Sequence, residues 1–207
     1  MPGKAKTFEF EHAEQLIEVA LEEFSERGYA KASINQILTR AGMSKGQFYY
    51  HFGNKEGLYL AVVELVLTRQ RAFMAARFDP AVMQEDLFTI FEARLRLSAA
   101  LERELPEVAR FSRSFVRERG QPIFEKAMGA HDFREDAQLA ALIQRAQARG
   151  DFREDLPPEF IAGLLPRLFQ HVVELAGLDA AGELDAIHEQ MGHFIEFLRG
   201  GLGRKQP

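Results

Sequence analysis

Residues 33–55, SINQILTRAGMSKGQFYYHFGNK, constrain the fold of this chain more than any other stretch. Ser33 precedes an apolar periodic run and has Gln36 three residues on; Ser44 repeats the arrangement with Gln47. Each fits a capping box, in which the serine accepts from a free backbone N–H and the glutamine reaches back. Between them, Ala41-Gly42 supplies a small residue and then one that tolerates a left-handed helix end. The pattern predicts a helix of about seven residues, a tight turn and a second short helix, the dimensions of a helix-turn-helix.

The second of these helices divides into two faces. Phe48 and Phe52, four apart, are placed to anchor it on Ile34, Ile37 and Leu38. The other side carries Lys45, Gln47, Tyr49, Tyr50 and His51. Lysine, tyrosine hydroxyls and the N–H groups of a helix start are common donors to phosphate. Gly46 has no side chain, so the backbone there can approach a groove wall. Gln47 has two readings: a bidentate partner for adenine in a major groove, or the closing member of the capping box. Gly46 can equally be a plain helix-start residue, and one tyrosine can pack inward. All four tyrosines (Tyr29, Tyr49, Tyr50 and Tyr59) fall in this region, and Arg27–Tyr59 holds five basic residues against one acid, Glu56. In a chain of net charge −5, a locally basic segment is the footprint expected of a DNA-contacting face.

Residues 13–65 resemble the DNA-binding domain of the TetR (tetracycline-repressor) family of bacterial transcriptional regulators. The matching string runs from Ile17 to Phe24, through Arg27-Gly28-Tyr29, Ser33–Ile37 and Ala41–Gly46, to Phe48–Phe52 and Asn54–Leu58. The resemblance implies helices near 9–27, 33–40 and 44–50, the last being the recognition helix, and a fourth beginning at Asn54. It implies phosphate contacts from Ser33, Lys45, Tyr50, His51 and Lys55, and base-edge contacts from Gly46, Gln47 and Tyr49. With Ser44, which opens the recognition helix, these form the candidate DNA-contact set. Leu38 and Gln47 stand where the family often carries alanine and threonine, and the second departure bears on the preferred base.

The 207 residues hold one large or two modest domains. Apolar content of 46% and charged content of 28% are ordinary for a globular protein. The absence of cysteine excludes disulfides, thiol catalysis, thiol redox sensing and cysteine-based zinc sites. The start, MPGKAKTFEF, lacks the apolar segment of a signal peptide. Apolar runs fall far short of the roughly 20 residues needed to span a bilayer. A cytoplasmic protein without membrane contact is the expectation.

Strand signals are nearly absent, and apolar residues recur at three and four throughout. The first helix carries a stripe of Leu16, Ile17, Ala20, Leu21 and Phe24 and stops at Gly28. The fourth starts at Asn54 as N-cap, buries Leu58, Ala61, Val62 and Leu65, and ends before Asp79-Pro80. Five further helices are predicted near 82–103, 106–118, 121–149, 157–177 and 182–199. Pro106, Pro122 and Pro158 sit at first turns, and Gly150, Gly177 and Gly200-Gly201 at stops. The expectation is an all-α fold of about nine helices. A helix-turn-helix domain of three helices over 1–58 would precede a helical effector-binding and dimerisation domain over 59–207. Helix 4, about 54–77, would connect them.

Residues 160–175 are apolar on almost every side, and 182–199 carries a stripe of Leu184, Ile187, Met191, Phe194, Ile195 and Leu198. Burial in one monomer core would account for both. Pairing with the same two helices of a second copy, in a four-helix interface, is the alternative we favour. Pro166 falls mid-helix and should bend it.

Thirteen of the eighteen phenylalanines lie beyond residue 70, and aromatic residues at helical spacing usually mean packing. Polar residues that interrupt the apolar stripes outline a candidate effector site: Arg94 and Ser98, Ser112 beside Phe111 and Phe115, then His131 and His171. Arg94 would suit a carboxylate or phosphate. Each residue also fits a satisfied polar group in a core. His188 and His193, five apart, do not share a helix face well, so no metal site is read, and no cofactor is expected.

The reading is a ligand-responsive regulator, most simply a repressor. It would bind a palindromic operator in double-stranded DNA as a homodimer and be released by a small-molecule effector. The alternatives are an activator of the same family, or an enzyme on a helical bundle. The last lacks support: no Ser–His–Asp or Cys–His arrangement, glycine-rich phosphate loop or paired Glu-x-x-His motif is recognisable.

Overall fold

The computed structural model describes residues 13–130, 135–175 and 184–203. These residues form ten α-helices and no strand beyond one isolated bridge, Phe152 with Gly203. They are α1 (Ala13–Lys31), α2 (Ile34–Ala41), α3 (Lys45–Phe52), α4 (Lys55–Arg77), α5 (Leu87–Glu104), α6 (Pro106–Arg117), α7 (Pro122–Ala130), α8 (Glu135–Arg149), α9 (Pro158–Leu175) and α10 (Leu184–Leu202). The all-α expectation holds. The packing divides into two compact units, one of Met1–Ala76 with Leu101–Asp132, the other of Arg77–Ala100 with Phe133–Pro207.

In the first unit, α1 is broken at Gly28, whose φ of 68° and ψ of 173° lie outside the helix. This is where the sequence predicts its stop. Leu16, Ile17, Ala20, Leu21 and Phe24 are buried, together with Ile37, Leu38 and Ala41 of α2 and Leu58, Tyr59, Val62, Val63 and Val66 of α4. Against α1 also packs α6, through buried Val108, Ala109 and Phe111. At about 25 cal/mol per Å2, each such buried valine, leucine, isoleucine or phenylalanine contributes about 1.5–3 kcal/mol. That burial, and not intrinsic propensity, holds helices as short as α2 and α3.

The second unit has its own core. Leu87, Phe88, Ile90 and Phe91 of α5 meet Leu142, Ile143 and Ala146 of α8, Ile161 and Leu165 of α9, and Ile195 and Leu198 of α10.

Two boundaries among the described residues differ from the sequence reading. The helix expected from residue 82 is a 3-10 turn, Pro80–Gln84, capped by Asp79; α5 begins only at Leu87. Asp86 decides this, because its carboxylate accepts the N–H groups of Phe88 at 2.9 Å and Thr89 at 3.1 Å. The helix expected over 121–149 is described as α7 and α8, and its middle, 131–134, lies outside the described residues. Last, α10 runs through Gly200-Gly201 instead of stopping before them. Leu202 is buried, its carbonyl accepts the Arg153 N–H at 2.9 Å, and docking of this end outweighs the glycine preference for a stop.

Candidate nucleic-acid interface

The turn between α2 and α3 forms as its residues dictate. Gly42 adopts a left-handed conformation, φ 66° and ψ 22°, and its N–H returns to the carbonyls of Leu38 and Thr39. Ser33 caps α2 by accepting the Gln36 N–H at 3.4 Å. Its reciprocal partner is not Gln36, however. The Ser33 N–H donates to Glu23 Oε1 of α1 at 3.0 Å. Glu23 is 2% exposed and also pairs with Arg27 Nε at 3.2 Å. A carboxylate fixed by the first helix therefore replaces the local glutamine. Its position three residues after Ala20, on the buried stripe of α1, was the available signal.

At α3 the capping box is complete. Gln47 N–H donates to Ser44 Oγ at 3.3 Å, and Ser44 N–H donates to Gln47 Oε1 at 3.2 Å. The Ser44 hydroxyl also donates to Gln47 Oε1 at 3.0 Å. The cap engages the side-chain oxygen of Gln47 and leaves its amide nitrogen.

Phe48 and Phe52 are buried with their rings stacked, centroids 6.0 Å apart. The turn into α4 is tight. Asn54 Oδ1 accepts the Gly57 N–H at 2.9 Å, and a side chain at Gly57 would collide with the Phe52 carbonyl. The end of α3 is thereby pressed onto the first turn of α4.

With its two phenylalanines turned in, α3 presents Lys45, Gly46, Gln47, Tyr49, Tyr50 and His51 to solvent. Tyr49 is 58% and Tyr50 85% exposed, and the Tyr50 ring meets that of His51 edge-on at 5.0 Å. No acidic residue occurs in α3, so this face carries only positive or neutral groups. Two rings this exposed gain little from packing, and their hydroxyls are free to meet a polar surface.

The tyrosine cluster is split. Tyr59 belongs to the interior and Tyr29 is half-buried against it: Tyr59 is 1% exposed, edge-on to Phe24 at 4.9 Å and to Tyr29 at 5.0 Å. Burial raises the pKa of both hydroxyls. Lys55 is also drawn inward. Its Nζ donates to the Ala30 carbonyl at 3.0 Å and lies 5.0 Å from the centre of the Tyr29 ring. Burial lowers its pKa, and the carboxylates of Glu118 and Glu23 offset part of that shift.

The effector residues fare differently. Arg94 and Ser98, in the second unit, are exposed: α5 buries Leu87, Phe88, Ile90 and Phe91, and beyond them its Arg94–Ser98 side is open. Phe111, in the first unit, is core, 5.6 Å from the Tyr59 ring, and Phe115 stacks on Phe124 at 4.8 Å. Ser112 is satisfied, accepting from Gln70 Nε2 at 2.9 Å and donating to the Val108 carbonyl at 2.8 Å. For these three the core reading fits the packing. His131 lies outside the described residues, as does the side chain of His171. Among the described residues no His, Asp and Glu group could hold a metal ion, and no helix is long and apolar enough to cross a membrane.

Comparison with known proteins points the same way as the geometry. Residues 16–62 match the profile of the bacterial regulatory proteins of the tetR family. The chain is 32% identical over 180 residues to the transcriptional regulator AcuR of Cereibacter sphaeroides, covering 85% of this chain and 66% of AcuR. It is 26% identical over 176 residues to the transcriptional repressor AcnR of Corynebacterium glutamicum, covering 82% of this chain and 84% of AcnR. Among solved structures, a TetR family transcriptional regulator from Chloroflexus aurantiacus superposes with a TM-score of 0.67, covering 94% of both chains. Its identity of 24% makes that a likeness of fold.

Proposed function

Because this chain belongs to the TetR family of transcriptional regulators, we propose that it binds a palindromic operator as a homodimer and represses until a small-molecule effector releases it. The observation that carries the reading is the outward face of α3, where Lys45, Tyr49, Tyr50 and His51 surround Gly46 on a helix anchored by Phe48 and Phe52. A helix seated in the major groove by phosphate contacts at its ends and base contacts at its centre needs that distribution.

The roles follow from position. Lys45, Tyr50 and His51 take phosphate oxygens, as do Ser33 and the first-turn N–H groups after Ser44 that the cap does not use. Gly46 and Tyr49 lie at the base edges, while Gln47 stays in its cap with Ser44. Lys55 reaches phosphate only by leaving the Ala30 carbonyl. We place the functional division at residue 58, with α4 as the connection.

Dimerisation through α9 and α10 is favoured by two exposed rings, Phe160 at 50% and Phe197 at 71%. Each lies on a helix whose opposite side, Ile161 and Leu165 or Ile195 and Leu198, is already in the core. A palindromic operator with half-sites one turn of DNA apart asks for two recognition helices about 34 Å apart.

The test is a gel shift of the full chain against duplex DNA from upstream of its own gene, followed by footprinting. A symmetric protected site, occupied by two copies, is the expected outcome. Failure to bind that DNA better than a scrambled duplex would overturn the proposal.

A further inference from the structure

The break at Gly28 leaves the Tyr29 N–H without a helical partner, and the group that takes it comes from far along the chain. Glu118, at the end of α6, accepts it on Oε1 at 2.7 Å across 89 residues. The approach is close: a Cβ at Gly28 would stand 2.8 Å from the same oxygen. One turn earlier on α6, the buried Ser114 hydroxyl donates to the Phe24 carbonyl at 3.0 Å. Two side chains four apart on one stripe of α6 therefore grip the last turn of α1 on either side of its break.

That corner bears on the recognition helix. The Tyr29 ring lies against Lys55 and Tyr59, both in the first turns of α4. A second tie joins the same turn, an ion pair between Lys126 of α7 and Glu56 at 2.5 Å. An eight-residue helix such as α3 has too few internal bonds to hold its own pose. It takes that pose from its buried phenylalanines and from Gly57, where the start of α4 closes on the Phe52 carbonyl. A shift of the α1–α4 corner therefore shifts α3.

We propose that Glu118 is a positioning residue for DNA binding: by holding the Tyr29 N–H from outside residues 1–58, it fixes the corner that sets the angle of α3. The inference rests on the DNA-binding reading above, but half of its test does not. A charged acceptor on a backbone N–H makes a strong, directional bond, and a neutral amide oxygen at the same place preserves its geometry. Glu118→Gln should therefore behave nearly as the wild type, and Glu118→Ala should not.

The experiment compares full-length wild type, Glu118→Ala and Glu118→Gln by amide hydrogen exchange without DNA. It also measures affinity for the duplex from upstream of the gene against a scrambled duplex. For Glu118→Ala we expect faster exchange at 29–33 and 44–58 and a loss of about tenfold in preference for the upstream duplex, the size of one charge-assisted hydrogen bond. Scrambled-duplex binding should hold, and Glu118→Gln should restore most of the preference. Faster exchange confined to Tyr29 with preference intact would overturn the proposal, as would equal loss on both duplexes. If wild type shows no preference for any duplex, the DNA-binding reading fails. Exchange at 44–58 then decides the positioning role: unchanged protection in Glu118→Ala refutes it.

Discussion

Gln47 and Ser44 close a reciprocal cap in which the Gln47 side-chain oxygen accepts both the N–H and the hydroxyl of Ser44, at 3.2 and 3.0 Å. A bidentate contact with adenine needs the same oxygen for the N6 amine and the amide nitrogen for N7. Cap and bidentate contact therefore compete for one atom. Gln47→Ala is expected to destabilise the start of α3 by about 1 kcal/mol and to weaken binding by a similar factor at every operator base. Affinities measured over a set of single-base operator variants decide it. Relaxed choice at one position alone would show that Gln47 leaves its cap on DNA.

Glu23 is the buried counterpart of that exposed cap. Glu23→Ala leaves the Ser33 N–H without its acceptor and is expected to cost about 1–3 kcal/mol. Arg27, about half exposed, adds little when it loses its partner. Glu23→Gln keeps an acceptor oxygen and should recover most of the loss. The four tyrosines all lie between residues 29 and 59 and the chain has no tryptophan, so tyrosine fluorescence in a urea titration reports this region directly. A Glu23→Ala midpoint equal to that of wild type would refute the role.

Asp86 provides the pH dependence. Burial acts to raise its pKa, but the hydroxyl and N–H of Thr89, the Arg199 guanidinium and the Phe88 N–H outweigh it and hold the carboxyl below its ordinary value. A depressed carboxylate contributes stability above its unfolded value and loses it as pH falls through the folded one. The advantage of wild type over Asp86→Asn should thus be constant near neutrality and shrink below about pH 4. Urea midpoints of the two proteins across that range check it, and a gap that widens on acidification would contradict the assignment.

What the sequence made legible was whatever its neighbours decide. The caps at Ser33 and Ser44, the left-handed Gly42, the break at Gly28 and the inward pair Phe48 and Phe52 are local, and each appears where its residues place it. Long-range partners were not legible. Nothing near Ser33 announces Glu23, and nothing near Gly28 announces Glu118. The tyrosines show the same limit, since clustering along the chain does not tell the exposed Tyr49 and Tyr50 from Tyr29 and Tyr59, which pack on each other. Arg94 and Ser98 matched an apolar stripe by spacing, yet the core they would have faced stops at Phe91 with Leu95 only partly covered.

The central claim is that α3 meets the phosphates of a duplex through Lys45 and its exposed neighbours. Equilibrium binding of wild type and Lys45→Ala to the upstream duplex, by fluorescence anisotropy across a range of salt concentrations, tests it most directly. One lost phosphate contact should flatten the slope of log affinity against log salt by about one unit, with sequence preference retained. Identical slopes for the two proteins would contradict it.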